Sequence, residues 1–265
     1  MFDIGRALWF KGVMKKIPVP YSEDFLTDYR TVDCENPERA WIIQSAIREI
    51  ADFCEPSLCS RSDLLLCHTE SLINSVEIDA EVYSVARRAA GGAIMAAEIA
   101  LKQQPSFALI RPPGHHAGRN FNGGFCFFNN MAIALYVLLS KGLIRNALII
   151  DIDLHYGNGT EDIVKDNPQI MFRNIHAFQR EEFLKKVESA ISDATSYDII
   201  GCSAGFDTYV HDWGGILLTD DYCEIARMIT SANPHTFTIL EGGYYISDLG
   251  KNVVSYLKGI QEACL

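Results

Sequence analysis

The chain has 265 residues and a mass of 29.6 kDa, with 48% apolar, 22% charged and 11% aromatic side chains. This is the balance of a globular protein with one sizeable core, not of a disordered or fibrous chain. A net charge of −11 repels phosphate backbones, so direct nucleic-acid binding is disfavoured, and cationic substrates are favoured.

The longest apolar stretch, Met131 to Leu139, is about half of the ~20 residues a spanning helix needs, so no membrane partner is expected. Ala7 to Phe10 is too short for a signal-sequence core, and Lys11, Lys15 and Lys16 follow it rather than precede it. The eight cysteines form no C-x-x-C pair and read as reduced, packed thiols. A cytoplasmic protein is expected.

In chain order, a helix is predicted over Pro37–Phe53, then an apolar run at Leu64–Leu66 that reads as a strand, then a helix over Glu81–Gln103. The run Phe107–Ile110 leads into Arg111-Pro-Pro-Gly-His115-His116-Ala-Gly118 and is followed by a helix over Asn129–Lys141. Ala147–Ile150 leads into Asp151-Ile-Asp153-Leu-His155-Tyr-Gly-Asn158-Gly-Thr160, and a helix follows over Arg180–Asp193. Tyr197–Gly201 runs on through Ser203 to Asp207 and precedes a helix over Asp220–Ser231. Thr236–Leu240 ends in Glu241-Gly-Gly-Tyr244-Tyr245, ahead of a last helix over Ile246–Glu262.

Fully apolar runs without alternation are the pattern of parallel strands buried on both faces. Their alternation with helices predicts a three-layer α/β/α fold with a mainly parallel sheet. No repeat or linker interrupts the chain, so residues 1–265 are read as a single domain. Loops at the carboxyl ends of such strands converge, and ligands bind there.

On extended backbone Asp151, Asp153 and His155 project to one face. With Asp207 from another strand end, carboxylate and imidazole make a three-ligand set with an open position, which suits a catalytic Zn²⁺. Capping of the helix near Thr160 is the plainer reading of Asp153 and His155, but it leaves the convergence with Asp207 unexplained. His115 and His116 are held in a loop defined by Pro112, Pro113 and Gly114. One of them suits a general base and the other stabilisation of a charged transition state. Tyr244 follows two glycines and can donate to a developing oxyanion, with Tyr245 as its competitor. Gly124 and Phe125 belong to a glycine-rich stretch that could set Phe125 as an apolar wall.

Taken together, Asn36–Arg39, Arg111–Gly118, Gly124–Asn130, Asp151–Thr160, Ser203–Asp207 and Glu241–Tyr244 resemble the histone deacetylase superfamily on the arginase/deacetylase fold. That superfamily includes acetylpolyamine amidohydrolases and class II-like deacetylases. The resemblance implies zinc held by Asp153, His155 and Asp207, His116 as general base and acid, and His115 as its electrostatic partner. It further implies Tyr244 as oxyanion donor, Asp151 supporting His115, and a structural K⁺ or Na⁺ near Asp151.

Three departures stand out. Tyr156 replaces a second histidine that is not a ligand in the family. Asn158 cannot offer His116 a carboxylate. The His176–Asp207 segment is too short for the family's tunnel-lining loop, which leaves Phe178 as the candidate second wall and predicts a wide site with broad acyl tolerance.

The function expected is a zinc-dependent deacylase acting on an N-acetylated or longer N-acylated primary amine, such as acetyl-lysine or an acetylpolyamine. The alternative is a catalytically silent, metal-free acyl-lysine binding or scaffold protein. Ureohydrolase chemistry lacks its closing carboxylate, since Tyr156-Gly157 follow His155. Oligomerisation is left open.

Overall fold

A computed structural model describes residues 15–265. The Ala7–Phe10 segment lies outside the described residues. The elements in order are β1 (Ile17–Pro20), α1 (Pro37–Ile47), β2 (Ala51–Cys54), α2 (Arg61–Leu64), α3 (Glu70–Glu77), α4 (Ala80–Ala100), β3 (Ser106–Ala108) and α5 (Asn130–Ser140). They continue with β4 (Ala147–Asp151), α6 (Asn158–Val164), β5 (Ile170–Asn174), α7 (Arg180–Ala190), β6 (Ile199–Ala204), α8 (Thr219–Ala232), β7 (Thr236–Leu240) and α9 (Ile246–Ala263).

Five strands form one all-parallel sheet in the order β3-β7-β6-β4-β5, and β1 pairs with β2 in a second parallel ribbon. Every residue of β4, β6 and β7 is buried, as expected for strands covered on both faces. Helix α4 packs with α5, while α1, α8 and α9 pack together, which gives the helical layers. The register pairs Asp151 with Ser203 and Ser203 with Ile239, so β4, β6 and β7 end side by side. No helix among the described residues is long and apolar enough to cross a membrane.

The sheet corrects two expectations. The helix predicted over Pro37–Phe53 stops at Ile47, and Ala51–Cys54 becomes β2, with Ala51 buried and Asp52 exposed in strand alternation. Leu64–Leu66 is not a strand. Ser60 and Asp63 form a reciprocal capping box that starts a helical turn there instead. The edge strand β5 was announced only by the short run Ile170–Phe172, with Met171 facing out on the less covered side.

Candidate active site

The β4 end carries the central motif. The strand stops at Asp151, so the convergence of Asp151, Asp153 and His155 does not come from extended alternation. Two successive Asx-type turns produce it: Asp153 N–H donates to Asp151 Oδ1 at 3.0 Å, and His155 N–H donates to Asp153 Oδ1 at 2.9 Å. Each short acidic side chain thereby bends the chain and is itself held in place. Asp207, beyond β6, accepts from Leu154 N–H at 3.1 Å, and Gly242, beyond β7, donates to Asp153 Oδ2 at 2.9 Å.

Ligand atoms of Asp153, His155 and Asp207 lie within 4.8 Å of one another. His155 Nδ1 is 3.0 Å from Asp207 Oδ2, without hydrogen-bond geometry, and that oxygen is buried with no hydrogen-bond partner. An orphaned carboxylate oxygen in a closed site is where a cation belongs. Burial and the Asp153 charge push Asp207 up to about 7, and the hydrogen bond to Asp153 together with the adjacent Asp207 carboxylate pushes His155 up to about 10. Both shifts describe a pocket with surplus negative charge. Two carboxylates and one imidazole fit zinc with a position left open.

His115 is buried, with Nδ1 at 3.1 Å from Asp151 Oδ2 and Nε2 at 3.7 Å from Asp153 Oδ1. Burial opposes its charge, but the Asp153 and Asp151 carboxylates outweigh that and hold its pKa well above the ordinary histidine value. His116 behaves oppositely. Burial and the neighbouring His115 lower it to about 4, although its hydrogen bond to Asn158 Oδ1 at 2.7 Å opposes the shift. The two rings lie 4.0 Å apart with different charge preferences. Asn158 is placed to orient the His116 ring through Nδ1. Gly124 has φ +53°, and a Cβ there would come within 2.2 Å of the His116 ring. Glycine is required for the ring to occupy its place.

His115, His116 and His155 border a cavity of about 90 Å³ together with Phe125, Trp213 and Tyr244. Phe125 meets Tyr244 edge-on at 5.9 Å, and Trp213 stacks on Tyr244 at 4.3 Å and 22°. Tyr245 turns away and packs against Tyr209 and His211. Asp212 accepts from the backbone N–H of both Tyr244 and Tyr245, and buried Arg39 donates to the carbonyls of Glu241 and Gly243. The turn carrying Tyr244 is therefore clamped from both sides.

Phe178 is not brought to this cavity. It is 84% exposed and packs on His176, because α7 begins at Arg180 and leaves no chain to fold back over the site. The second wall is Trp213, which the sequence reading missed. With that wall present, the cavity is narrow rather than wide. A Trp between Asp212 and two glycines, six residues beyond Asp207 at a strand end, was the signal available.

Fold and site together define an α/β protein in which two carboxylates and an imidazole, a set able to hold a metal ion, lie beside paired imidazoles at the carboxyl edge of a parallel sheet. The model of the histone deacetylase domain matches residues 33–196, more than half of the chain, and the chain belongs to that family. It is 29% identical to a probable deacetylase of Methanothermobacter thermautotrophicus, with 85% of each chain covered. It is 34% identical to acetylpolyamine amidohydrolase 1 of Pseudomonas aeruginosa over 60% of this chain and 56% of that one. The crystal structure of the HDA15 HD domain superposes with a TM-score of 0.85 at 21% identity, covering 94% of this chain and 90% of that one, and so shares the fold.

Proposed function

We propose that the chain is a zinc-dependent amidohydrolase that removes the acetyl group from an N-acetylated primary amine. The observation that carries this reading is the juxtaposition of the Asp153–His155–Asp207 tripod with two imidazoles of opposite charge preference and a clamped tyrosine around one small cavity. Zinc, when bound, supplies a Lewis acid that polarises an acyl carbonyl and eases deprotonation of water.

The chain's own residues do the rest. His116, held neutral and oriented by Asn158, takes a proton at Nε2 and returns it to the leaving amine. His115, kept cationic by Asp151 and Asp153, balances the negative charge that develops beside it. The Tyr244 phenol, its pKa raised above the ordinary value mainly by burial, remains protonated and donates to the developing oxyanion. Phe125 and Trp213 hold the amine's methylene stem and exclude water. A structural K⁺ or Na⁺ near Asp151 would depend on backbone carbonyls, since the Asp151 carboxylate oxygens already serve Asp153 N–H and His115.

A cavity of about 90 Å³ is far below the roughly 300–1,000 Å³ of sites for drug-sized ligands, which favours acetyl over longer acyl groups. The acidic surface suits acetyl-lysine proteins and acetylpolyamines alike. A metal-free scaffold or acyl-lysine binding role would leave Asp207 Oδ2 buried and unpartnered, and is disfavoured for that reason. The test is a hydrolysis screen of zinc-loaded protein against acetyl-lysine peptides, acetylpolyamines, and butyryl- and longer acyl-lysines. Turnover confined to acetyl substrates is expected. Zinc-loaded protein that hydrolyses none of them would overturn the reading.

A further inference from the structure

A second set of ligand atoms lies behind the wall of the cavity. The Cys126 thiol, a ring nitrogen of His115 and the Glu241 carboxylate all lie within 4.8 Å of one another, and all three residues are buried. They come from three separate parts of the chain: the glycine-rich stretch before α5, the loop after β3 and the end of β7. Glu241 Oε2 accepts from Gly114 N–H at 2.7 Å and His115 N–H at 3.2 Å, whereas Oε1 is buried with no partner. Among the described residues, two buried carboxylate oxygens lack any hydrogen bond: Asp207 Oδ2 in the first ligand set and Glu241 Oε1 in this one. The same orphaned chemistry that marks the first site marks the second.

We propose that Cys126 Sγ, His115 Nε2 and the Glu241 carboxylate form a second, inhibitory site for a thiophilic divalent cation such as Zn²⁺. His115 Nδ1 is engaged by Asp151, which leaves Nε2 for the cation. Thiolate, imidazole and carboxylate around a tetrahedral ion stand roughly 3.5 Å apart, so atoms at the 4.8 Å limit close in by about 1.3 Å (4.8 less 3.5), and the fourth position takes solvent. The Cys126 thiol proton and the Nε2 proton of the cationic His115 ring both leave to solvent as the ion binds, and no electron transfer is involved. Access runs through the cavity, which His115 lines and which Gly242, the neighbour of Glu241, also lines. An ion held there removes the His115 ring from its place beside the reacting centre. Excess metal therefore inhibits without displacing the first ion.

Sulfur separates the two sites spectroscopically, since Asp153, His155 and Asp207 contain none. Protein loaded with one zinc per chain is titrated with Co²⁺ while absorbance and hydrolysis of an acetyl-lysine peptide are followed together. A thiolate-to-cobalt charge-transfer band is expected to grow in step with the loss of activity. In Cys126→Ala the band vanishes and the inhibition constant weakens by at least ~10-fold, and in Glu241→Gln it weakens in the same direction. Inhibition without a thiolate band in the parent protein would overturn the proposal, as would a band and inhibition unchanged in Cys126→Ala. The band is read without turnover, so it tests this site even if the hydrolase reading fails, and the parent spectrum decides the matter if either variant misfolds.

Discussion

A single methyl group at Gly242 should dissociate metal binding from folding. Gly242 takes a backbone conformation open to any residue, yet a Cβ there would stand 2.7 Å from Asp153 Oδ2 and 2.9 Å from Asp207 Oδ2. Ordinary contact begins at 3.4 Å, so one carboxylate must retreat about 0.7 Å (3.4 less 2.7) and the other about 0.5 Å (3.4 less 2.9). Metal sites tolerate roughly 0.2 Å of misplacement at each ligand. Gly242→Ala should therefore lower zinc affinity on the order of 10–100-fold, the scale for disturbing groups that orient metal ligands. The overpacking should cost about 1–3 kcal/mol of stability, which leaves the fold in place. Competition against a chromophoric chelator gives the affinity, and urea unfolding of metal-free protein gives the stability. Gly123→Ala, where an added Cβ meets nothing within 4 Å, is the control and should bind zinc like the parent. Parent-like zinc affinity in Gly242→Ala would show that these carboxylates are not the ligands.

Further outcomes follow from the same geometry. Trp213→Ala should raise KM for acetyl substrates about 10-fold and admit longer acyl groups, because the lost wall includes an aromatic stack; Phe178→Ala, at an exposed ring, should change neither. His116→Ala should lose about 10²–10⁴ in kcat, and Tyr244→Phe about 10²–10³, both with zinc retained; near-normal kcat in either variant removes that residue from the chemistry. Acid stability should report on His68, which donates from Nδ1 to Gly118 O and accepts Asn129 N–H at Nε2 in the neutral form. Burial lowers its pKa from 6.5 to about 4, so its contribution is complete above 6.5 and falls by up to about 3 kcal/mol as pH drops towards 4. Urea midpoints across that range should flatten in His68→Gln, and an unchanged slope would refute the assignment.

Much of the site was legible because its residues follow buried strands directly. The run at Ala147–Ile150 is wholly apolar and that at Thr236–Leu240 is interrupted only by Thr236 and Thr238, so the sequence itself marks where each strand ends and its loop begins. Asp151, Asp153, His155, Asp207, the His pair and Tyr244 all fall just beyond such ends. Contributions that depend on long-range contacts were not legible. Trp213 becomes a wall because Asp212 draws its loop onto the Tyr244 turn, a contact made to residues 32 and 33 positions further along the chain that spacing alone does not announce. The absence of a long loop after His176 argued for an open site, but the gap is filled from a different strand end. Edge strand β5 and ribbon strand β2 escaped notice because half-covered strands lack the longer apolar run that marks the central ones.

The central claim is that one zinc in the Asp153–His155–Asp207 tripod is needed for hydrolysis of an acetylated amine. The most direct measurement is stepwise reconstitution of metal-depleted protein, with bound zinc and turnover of acetyl-lysine peptide or acetylpolyamine determined on the same samples, for the parent and Asp207→Ala. Activity should rise in proportion to bound zinc up to about one ion per chain, and Asp207→Ala should neither hold that ion tightly nor turn over substrate. Full activity in the metal-depleted protein, or zinc and activity retained in Asp207→Ala, would contradict the account.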